Sequence, residues 1–213
     1  MAKVLILGAS KGIGSATVRK ALDSGFRVRA FARSTHPIRI DDERLEKRRG
    51  DALNPLDVEN ALDGIDVVVQ TLGIPTDFGM VLRPVTLFSK ATSILVPAME
   101  AKGIRRLITV TGFGAGDSRA SIARLQRLPF RLVFGHAYDD KDVQEQIIRD
   151  SHLDWTIVRP GVLTNRSNGN GYKVLLSASE WRNGIISRRD VADFLVRTIS
   201  DNSYIRTTPV LTS

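Results

Sequence analysis

The strongest constraint on the fold lies in the first fourteen residues. Lys3 to Gly8 reads KVLILG, a β-branched and leucine-rich run that suits a strand buried on both faces of a parallel sheet. It passes at once into Gly8-Ala9-Ser10-Lys11-Gly12-Ile13-Gly14. From Gly14 to Ser24 apolar residues recur near helical spacing, and Ser24-Gly25 ends the run. Phe26 to Ala32 then alternates as a second strand. Strand, glycine loop, helix and strand within about thirty residues make one βαβ unit, the size of a mononucleotide-binding half.

The glycines have a physical task in that setting. A sharp turn, close approach of backbone to a pyrophosphate and tight packing of helix on strand each exclude a side chain. The helix N-terminus adds free N–H groups and the positive end of a dipole. The spacing is GxxxGxG rather than GxGxxG, so the pattern takes its weight from its place between first strand and first helix. Gly8, Ser10, Lys11, Gly12, Ile13 and Gly14 are therefore the first cofactor-binding candidates. The second strand ends at Arg33-Ser34, where NAD-selective folds carry an acid for the ribose diol. Arg33 and Ser34, with Lys11, suit a 2′-phosphate, which predicts NADP(H) in preference to NAD(H). The alternative is that Arg33 is one more surface arginine. Asp51 and Ala52, after a short third strand, either meet the adenine or form a turn cap. Thr71, Leu72 and Gly73 follow the fourth strand, where glycine lets the chain pass close to a ribose.

Alternation continues along the chain. Strands are predicted at Glu46 to Asp51, Val67 to Thr71, Arg106 to Val110 and Trp155 to Val158, with an edge strand at Thr208 to Leu211. Helices are predicted at Pro55 to Leu62, Pro84 to Lys102, Asp139 to Ser151 and Asp190 to Ile199. With right-handed crossovers this is an α/β fold, a doubly wound, mainly parallel sheet with helices on both faces. The 213 residues suit one domain, so a substrate pocket must come from loops after the strands: Ile74 to Arg83, Phe113 to His136 and Leu163 to Ile186.

Composition narrows the chemistry. With no cysteine, disulfides, thiolate catalysis and iron-sulfur clusters are excluded. His36, His136 and His152 are dispersed, so no metal site is expected, and His136 is a minor candidate acid or base. The net charge of +8 divides into +5 over residues 1–106 and +3 over 107–213. Spread in this way it reads as a solvated, anion-preferring surface rather than a nucleic-acid module. Val4 to Leu7 is too short an apolar run for a signal peptide or a membrane span, and the expectation is a cytoplasmic protein, monomer or homodimer.

Taken together the chain resembles the short-chain dehydrogenase/reductase superfamily, in particular its atypical NAD(P)H-binding branch of biliverdin reductase B/flavin reductase-like and NmrA-like proteins. The carriers are GASKGIG at 8–14, Arg33-Ser34, Gly50-Asp51, Thr71-Leu72-Gly73, Val110-Thr111-Gly112, the segment 139–155, WTIVRPG at 155–161 and the Ile186 to Ala192 segment. The resemblance implies a seven-stranded Rossmann sheet, with Pro160, Gly161 and Val162 covering the nicotinamide. It also implies a serine at the end of the fifth strand and a tyrosine and lysine four residues apart on the next helix. Here the serine position falls on Gly112, beside Thr111, and Tyr138 and Lys141 are three apart. Thr111, Tyr138 and Lys141 are the catalytic candidates, with Thr111 and Lys141 orienting the nicotinamide ribose and Tyr138 as proton donor. The Pro-Pro-His of the biliverdin type reads Arg159-Pro160-Gly161.

The expected function is NADPH-dependent hydride transfer to a small planar or anionic acceptor, a flavin, quinone or carbonyl. The alternative is an NmrA-like regulatory or assembly protein that keeps the dinucleotide without chemistry. Arg159 is expected as an anchor of strand and helix ends. Tyr172 and Trp181, with Arg182, are a candidate lid over a planar ring, or simple packing. Arg119, Arg124, Arg127 and Arg131 form either an acid-receiving surface or a solvated face.

Overall fold

The computed structural model describes residues 2–74, 84–122, 124–166 and 171–213, and of residues 124–131 the backbone alone. In chain order the elements are β1 (Lys3–Leu7), α1 (Gly12–Asp23), β2 (Arg27–Ala32), β3 (Leu45–Arg49), α2 (Pro55–Ala61) and β4 (Val67–Gln70). Then come α3 (Leu87–Ala101), β5 (Arg106–Val110), a 3-10 turn at Gly116–Ser121 and α4 (Arg124–Arg149). The chain closes with β6 (Asp154–Pro160), β7 (Val162–Thr164), β8 (Lys173–Leu175), β9 (Ile185–Ser187), α5 (Arg188–Ser200), a 3-10 turn at Asn202–Tyr204 and β10 (Val210–Thr212).

The main sheet runs β3-β2-β1-β4-β5-β6-β10-β8. Its first seven strands are mutually parallel, and β8 pairs antiparallel with β10. The implied seven parallel strands are present, with β8 as an eighth. β7 and β9 form a separate parallel pair.

Strand alternation divides the core. Val4 and Ile6 face one layer with α1 and α5, while Leu5 and Leu7 face the other with α2, α3 and α4. β3 is an edge strand, and Lys47, Arg48 and Arg49 on it are exposed. Successive cations discourage pairing with another edge, which accounts for part of the charge surplus.

Three parts of the chain depart from the sequence expectation. The strand expected at the edge, Thr208 to Leu211, forms β10, which lies buried between β6 and β8 and pairs with both. The loop expected at Leu163 to Ile186 contains β8 and parts of β7 and β9. The helix expected at Asp139 to Ser151 begins at Arg124, so most of the segment expected as a loop at Phe113 to His136 is helical or 3-10. Pro129 and Gly135 read as breakers, yet both lie within α4. Helices tolerate such residues where tertiary packing outweighs local propensity. The consequence is that Tyr138 sits in mid-helix, one turn before Lys141. Residues three apart on a helix share a face. The loop expected at Ile74 to Arg83 lies, Ile74 apart, outside the described residues.

Candidate dinucleotide site and reaction centre

At the carboxyl end of β1 the chain turns on Gly8, whose φ is +85°. The amides of Gly8 and Ala9 both donate to the Phe31 carbonyl, at 3.0 and 3.2 Å. A Cβ on Gly8 would lie 2.7 Å from the Thr71 carbonyl oxygen, and one on Gly14 would lie 2.2 Å from the Gly8 carbonyl oxygen and 2.6 Å from Thr71 Oγ1. Thr71 thus packs under the loop, and Gly14 must be glycine for α1 to sit against it.

The first turn of α1 differs from those of its neighbours. Asn54 accepts from the amides of Leu56 and Asp57 at α2, and Ser187 accepts from Asp190 at α5. Asp140, reaching from α4, accepts from Phe88 at 2.8 Å and Ser89 at 3.3 Å at the start of α3. At α1 the extended N-cap residue is Lys11, no side chain caps the turn and it contains no acid. Those amides and the dipole fit an anion. A glycine cradle, an uncapped helix and the adjacent cations together fit a dinucleotide, the group this fold class binds.

The other cofactor candidates fall around the same edge. Arg33 and Ser34 are exposed after β2, and Arg33 has no ion-pair partner among the described residues. Ser10 lies on the loop, while the Ile13 side chain packs on the core, leaving its backbone for a ligand. Asp51 acts as a turn cap, its Oδ1 accepting from the Leu53 amide at 3.0 Å, and Ala52 is buried. Gly50 beside it has a packing reason: a Cβ there would be 2.4 Å from the Phe31 ring. Leu72 packs on the core, and a Cβ on Gly73 meets nothing within 4 Å, so the protein itself makes no steric demand there.

The carboxyl end of β5 is built from side chains. Thr111 Oγ1 donates to Glu145 Oε1 at 2.8 Å, and the Thr111 carbonyl accepts from Lys141 Nζ at 2.5 Å. The Thr111 hydroxyl is therefore turned into the protein, away from the ribose-orienting role expected of it. A Cβ on Gly112 would stand 2.6 Å from the Tyr138 hydroxyl oxygen and 3.6 Å from Lys141 Nζ. The phenol occupies the space that a serine side chain would need.

Lys141 Nζ lies 4.7 Å from the centroid of the Tyr138 ring and 5.1 Å from that of Phe88, over the ring faces. Burial pushes the Lys141 ammonium down to about 8 against the pull of the Glu145 carboxylate. Burial also pushes the Tyr138 phenol up to about 12. The phenol is thus held as a proton carrier at neutral pH, the opposite of a tyrosine activated as a base.

Glu145 was not among the sequence candidates. It joins Thr111 to Arg159, a fully buried arginine whose Nε and Nη2 donate to the two Glu145 carboxylate oxygens at 3.0 and 2.5 Å. Arg159 Nη1 pairs with Asp117 at 2.5 Å, and its guanidinium stacks 5.2 Å from the Trp181 ring centroid. Arg159 is the anchor expected of it, tying β6 to α4 and to the 3-10 turn. A Cβ on Gly116, at φ +55°, would fall 2.5 Å from both Arg159 Nη2 and Glu145 Oε2. A usable signal existed in Glu145 lying four residues after Lys141, on one helix face.

Pro160 and Gly161 are held by backbone bonds, Gly161 donating to Leu211 at 3.0 Å. Val162 and Ile185 stand opposite one another in the β7/β9 pair, both more than half exposed, so Ile185 joins Val162 as an apolar wall that sequence reading missed. The expected lid is not formed. Trp181 Nε1 donates to the Leu175 carbonyl beside Arg159, whereas Tyr172 donates to Asp193 and meets Phe194 edge-on. The two rings pack on different elements. Arg119 pairs with Asp139 and Asp142, in keeping with a solvated face, and the side chains of Arg124, Arg127 and Arg131 lie outside the described residues. The three histidines are exposed and apart, and no cluster of potential metal ligands occurs among the described residues. No described helix is long and apolar enough to cross a membrane.

Residues 8–202 match the model of the NAD(P)H-binding family. The chain belongs to that family. It is similar to the photosystem II assembly factor Ycf39 of Synechocystis, with 24% identity over 99% of this chain and 63% of that one. The first curated relatives are matched over 43% to 71% of their own lengths. Among solved structures, ChuY, an anaerobillin reductase from Escherichia coli O157:H7, superposes with a TM-score of 0.81 at 23% identity, covering 99% of this chain and 96% of the other. A wide-type short-chain dehydrogenase/reductase from Veillonella parvula in complex with NADP gives 0.81 at 21% identity, covering 100% and 94%. At these identities the structural likeness is one of fold.

Proposed function

We propose that this family member is a cytoplasmic NADPH-dependent reductase that delivers hydride to a small planar acceptor, with flavins and quinones ahead of carbonyls. The observation that carries the reading is the Tyr138 phenol packed against Gly112 beside the buried Lys141 ammonium, on the same sheet edge as the uncapped start of α1. NADPH, when bound, supplies the hydride. The residues of the chain bind and orient it: the amides of Gly12 to Gly14 meet the phosphates, and Val162 with Ile185 forms an apolar wall for the nicotinamide. A phenol pushed up to about 12 stays protonated at neutral pH and gives up its proton less readily than a free tyrosine, so it suits acceptors whose reduction leans little on acid catalysis. Without a serine at Gly112 the second hydroxyl that would share a carbonyl oxygen with Tyr138 is missing, which favours acceptors that need orientation more than acid catalysis.

Arg33 and Lys11, exposed and without carboxylate partners among the described residues, supply the charge for a 2′-phosphate. Arg33→Glu is expected to reverse the preference, weakening NADPH about 10- to 100-fold while leaving NADH within about twofold. Equal losses for the two nucleotides would remove Arg33 from that role.

The test of the activity is NADPH consumption with a panel of flavins, quinones and carbonyl compounds. Turnover with at least one planar acceptor is expected. A flat panel despite tight NADPH binding would favour the second reading, a dinucleotide-dependent regulatory or assembly protein. That reading is supported by the Thr111 hydroxyl being spent on Glu145 and by the likeness to an assembly factor.

A further inference from the structure

Arg188 stands in a place that elementary electrostatics disfavours. It is the first residue of α5, where the helix presents its positive end, and Arg189 follows it. Its side chain does not turn away. Arg188 Nε lies 4.0 Å from the position a Cβ would take on Gly12, at the positive end of α1. That first turn has neither a capping side chain nor an acid, and Lys11 precedes it.

A guanidinium between two helix N-termini would ordinarily be neutralised by a carboxylate. The nearest acid on its own helix, Asp190, is taken by the Ser187 hydroxyl at 2.6 Å. Among the described residues no carboxylate pairs with Arg188, and its guanidinium donates from Nη1 to the neutral Oδ1 of Asn165 at 2.8 Å. Asn165 follows β7, so the guanidinium is fixed by an amide that aims it without discharging it. Ser10, Lys11, Gly12, Asn165 and Arg188 are among the residues that line a groove of about 1200 Å³ between α1 and α5, whose acids are Asp23, Asp190, Asp193 and Asp201.

We propose that Arg188, aimed by Asn165, is a binding residue for the dinucleotide diphosphate, closing over the α1 cradle from the opposite half of the fold. The inference rests on the dinucleotide reading above and names a residue for it that neither the glycine pattern nor the segment after Pro160 contains. A diphosphate is the ligand part that fits, because two negative charges between two helix ends and a guanidinium convert an unfavourable arrangement into charge-assisted hydrogen bonds. Arg33, at the far end of β2, is left for the 2′-phosphate.

The two roles separate by ligand. Dissociation constants are measured for wild type, Arg188→Met and Asn165→Ala with NADPH, NADH, ADP-ribose and adenosine 2′-monophosphate, together with the melting temperature of each ligand-free protein. Arg188→Met is expected to weaken NADPH, NADH and ADP-ribose by one common factor of about 10 to 100 and to leave adenosine 2′-monophosphate unchanged. Asn165→Ala should weaken the same three ligands by a smaller common factor. The ligand-free Arg188→Met protein should melt at or above the wild-type temperature, because a cation has left two positive helix ends.

Loss confined to NADPH would overturn the proposal by assigning Arg188 to the 2′-phosphate. Unchanged binding, or a lowered melting temperature in step with the loss, would overturn it in favour of a structural role. If wild type binds neither NADPH nor ADP-ribose, the dinucleotide reading itself falls, which is a distinguishable result.

Discussion

Two loops leave the same edge of the sheet in this protein, and they are made of opposite materials. The loop after β1 is backbone: Gly8 and Gly14 exclude side chains from its floor, and the first turn of α1 takes no cap. The loop after β5 is side chain: Thr111 is tied to Glu145, Gly112 is covered by Tyr138, and Lys141 donates to the Thr111 carbonyl. A backbone cradle binds what every nucleotide shares, its phosphates, and is therefore indifferent to the reaction. A side-chain cluster can be rebuilt residue by residue, and that is where this chain departs from the serine, tyrosine and lysine pattern it resembles.

The contrast breaks most violently at Glu145. Its carboxylate is almost wholly buried and meets Thr111 and Arg159 together, so Glu145→Ala leaves a buried guanidinium with Asp117 as its remaining partner. Removing one member of a buried pair costs about 3–5 kcal/mol. The denaturant midpoint should fall accordingly, and the double variant Glu145→Leu with Arg159→Met should regain much of the loss. A single variant as stable as wild type would mean that the cluster is not a structural unit.

The cradle should fail in a different manner. In Gly14→Ala the new methyl meets the Gly8 carbonyl oxygen at 2.2 Å, a backbone atom that cannot swing aside. Overpacking of this kind costs about 1–3 kcal/mol, and the displaced loop should lower NADPH and NADH affinity alike. Titration of both nucleotides by nicotinamide fluorescence checks this; intact affinity would show that the loop can shift without harm to its amides.

The same contrast explains what could be read from residues alone. Strand β1, the glycine turn and α1 are contiguous, and each step obeys a local rule, so the cradle was legible from fourteen residues. The reaction centre was legible in membership, for Tyr138 and Lys141, but not in geometry. Pro129 and Gly135 masked the true start of α4, and that start decides whether Tyr138 faces Gly112. Glu145 and Arg159 are fourteen residues apart in sequence on different elements, and no periodicity announces that they meet. Arg188 was read as part of a segment, while its role depends on its approach to Gly12, 176 positions earlier.

Gly112→Ala is the matching probe of the β5 loop. The added methyl would sit 2.6 Å from the Tyr138 hydroxyl, but here the obstacle is the end of a side chain. The ring can tilt, while the Gly112 backbone at φ +156° adds strain of its own for any residue with a Cβ, for a total of about 1–3 kcal/mol. Turnover should fall while NADPH affinity stays within about twofold, because the cradle is untouched. Equal effects on both would tie the two loops into one unit.

The smallest expected effect tests the burial of Lys141. Its ammonium titrates near 8 in the folded protein and near 10.5 when the chain is unfolded. Between those values the unfolded chain holds the proton and the folded one has released it, so stability contributed by this group rises as pH increases from about 8 toward 10. Tyr138 acts in the opposite sense above pH 10, where the unfolded phenol ionises and the folded one stays neutral to about 12. The usable window is therefore pH 8 to 10. Urea midpoints measured across it should climb in wild type more steeply than in Lys141→Met, which lacks the titrating amine but keeps the apolar stem between Phe88 and Tyr138. Superimposed slopes would mean that Lys141 stays protonated throughout, and the β5 loop would then carry a permanent cation, bringing it closer in character to the anion-binding loop after β1.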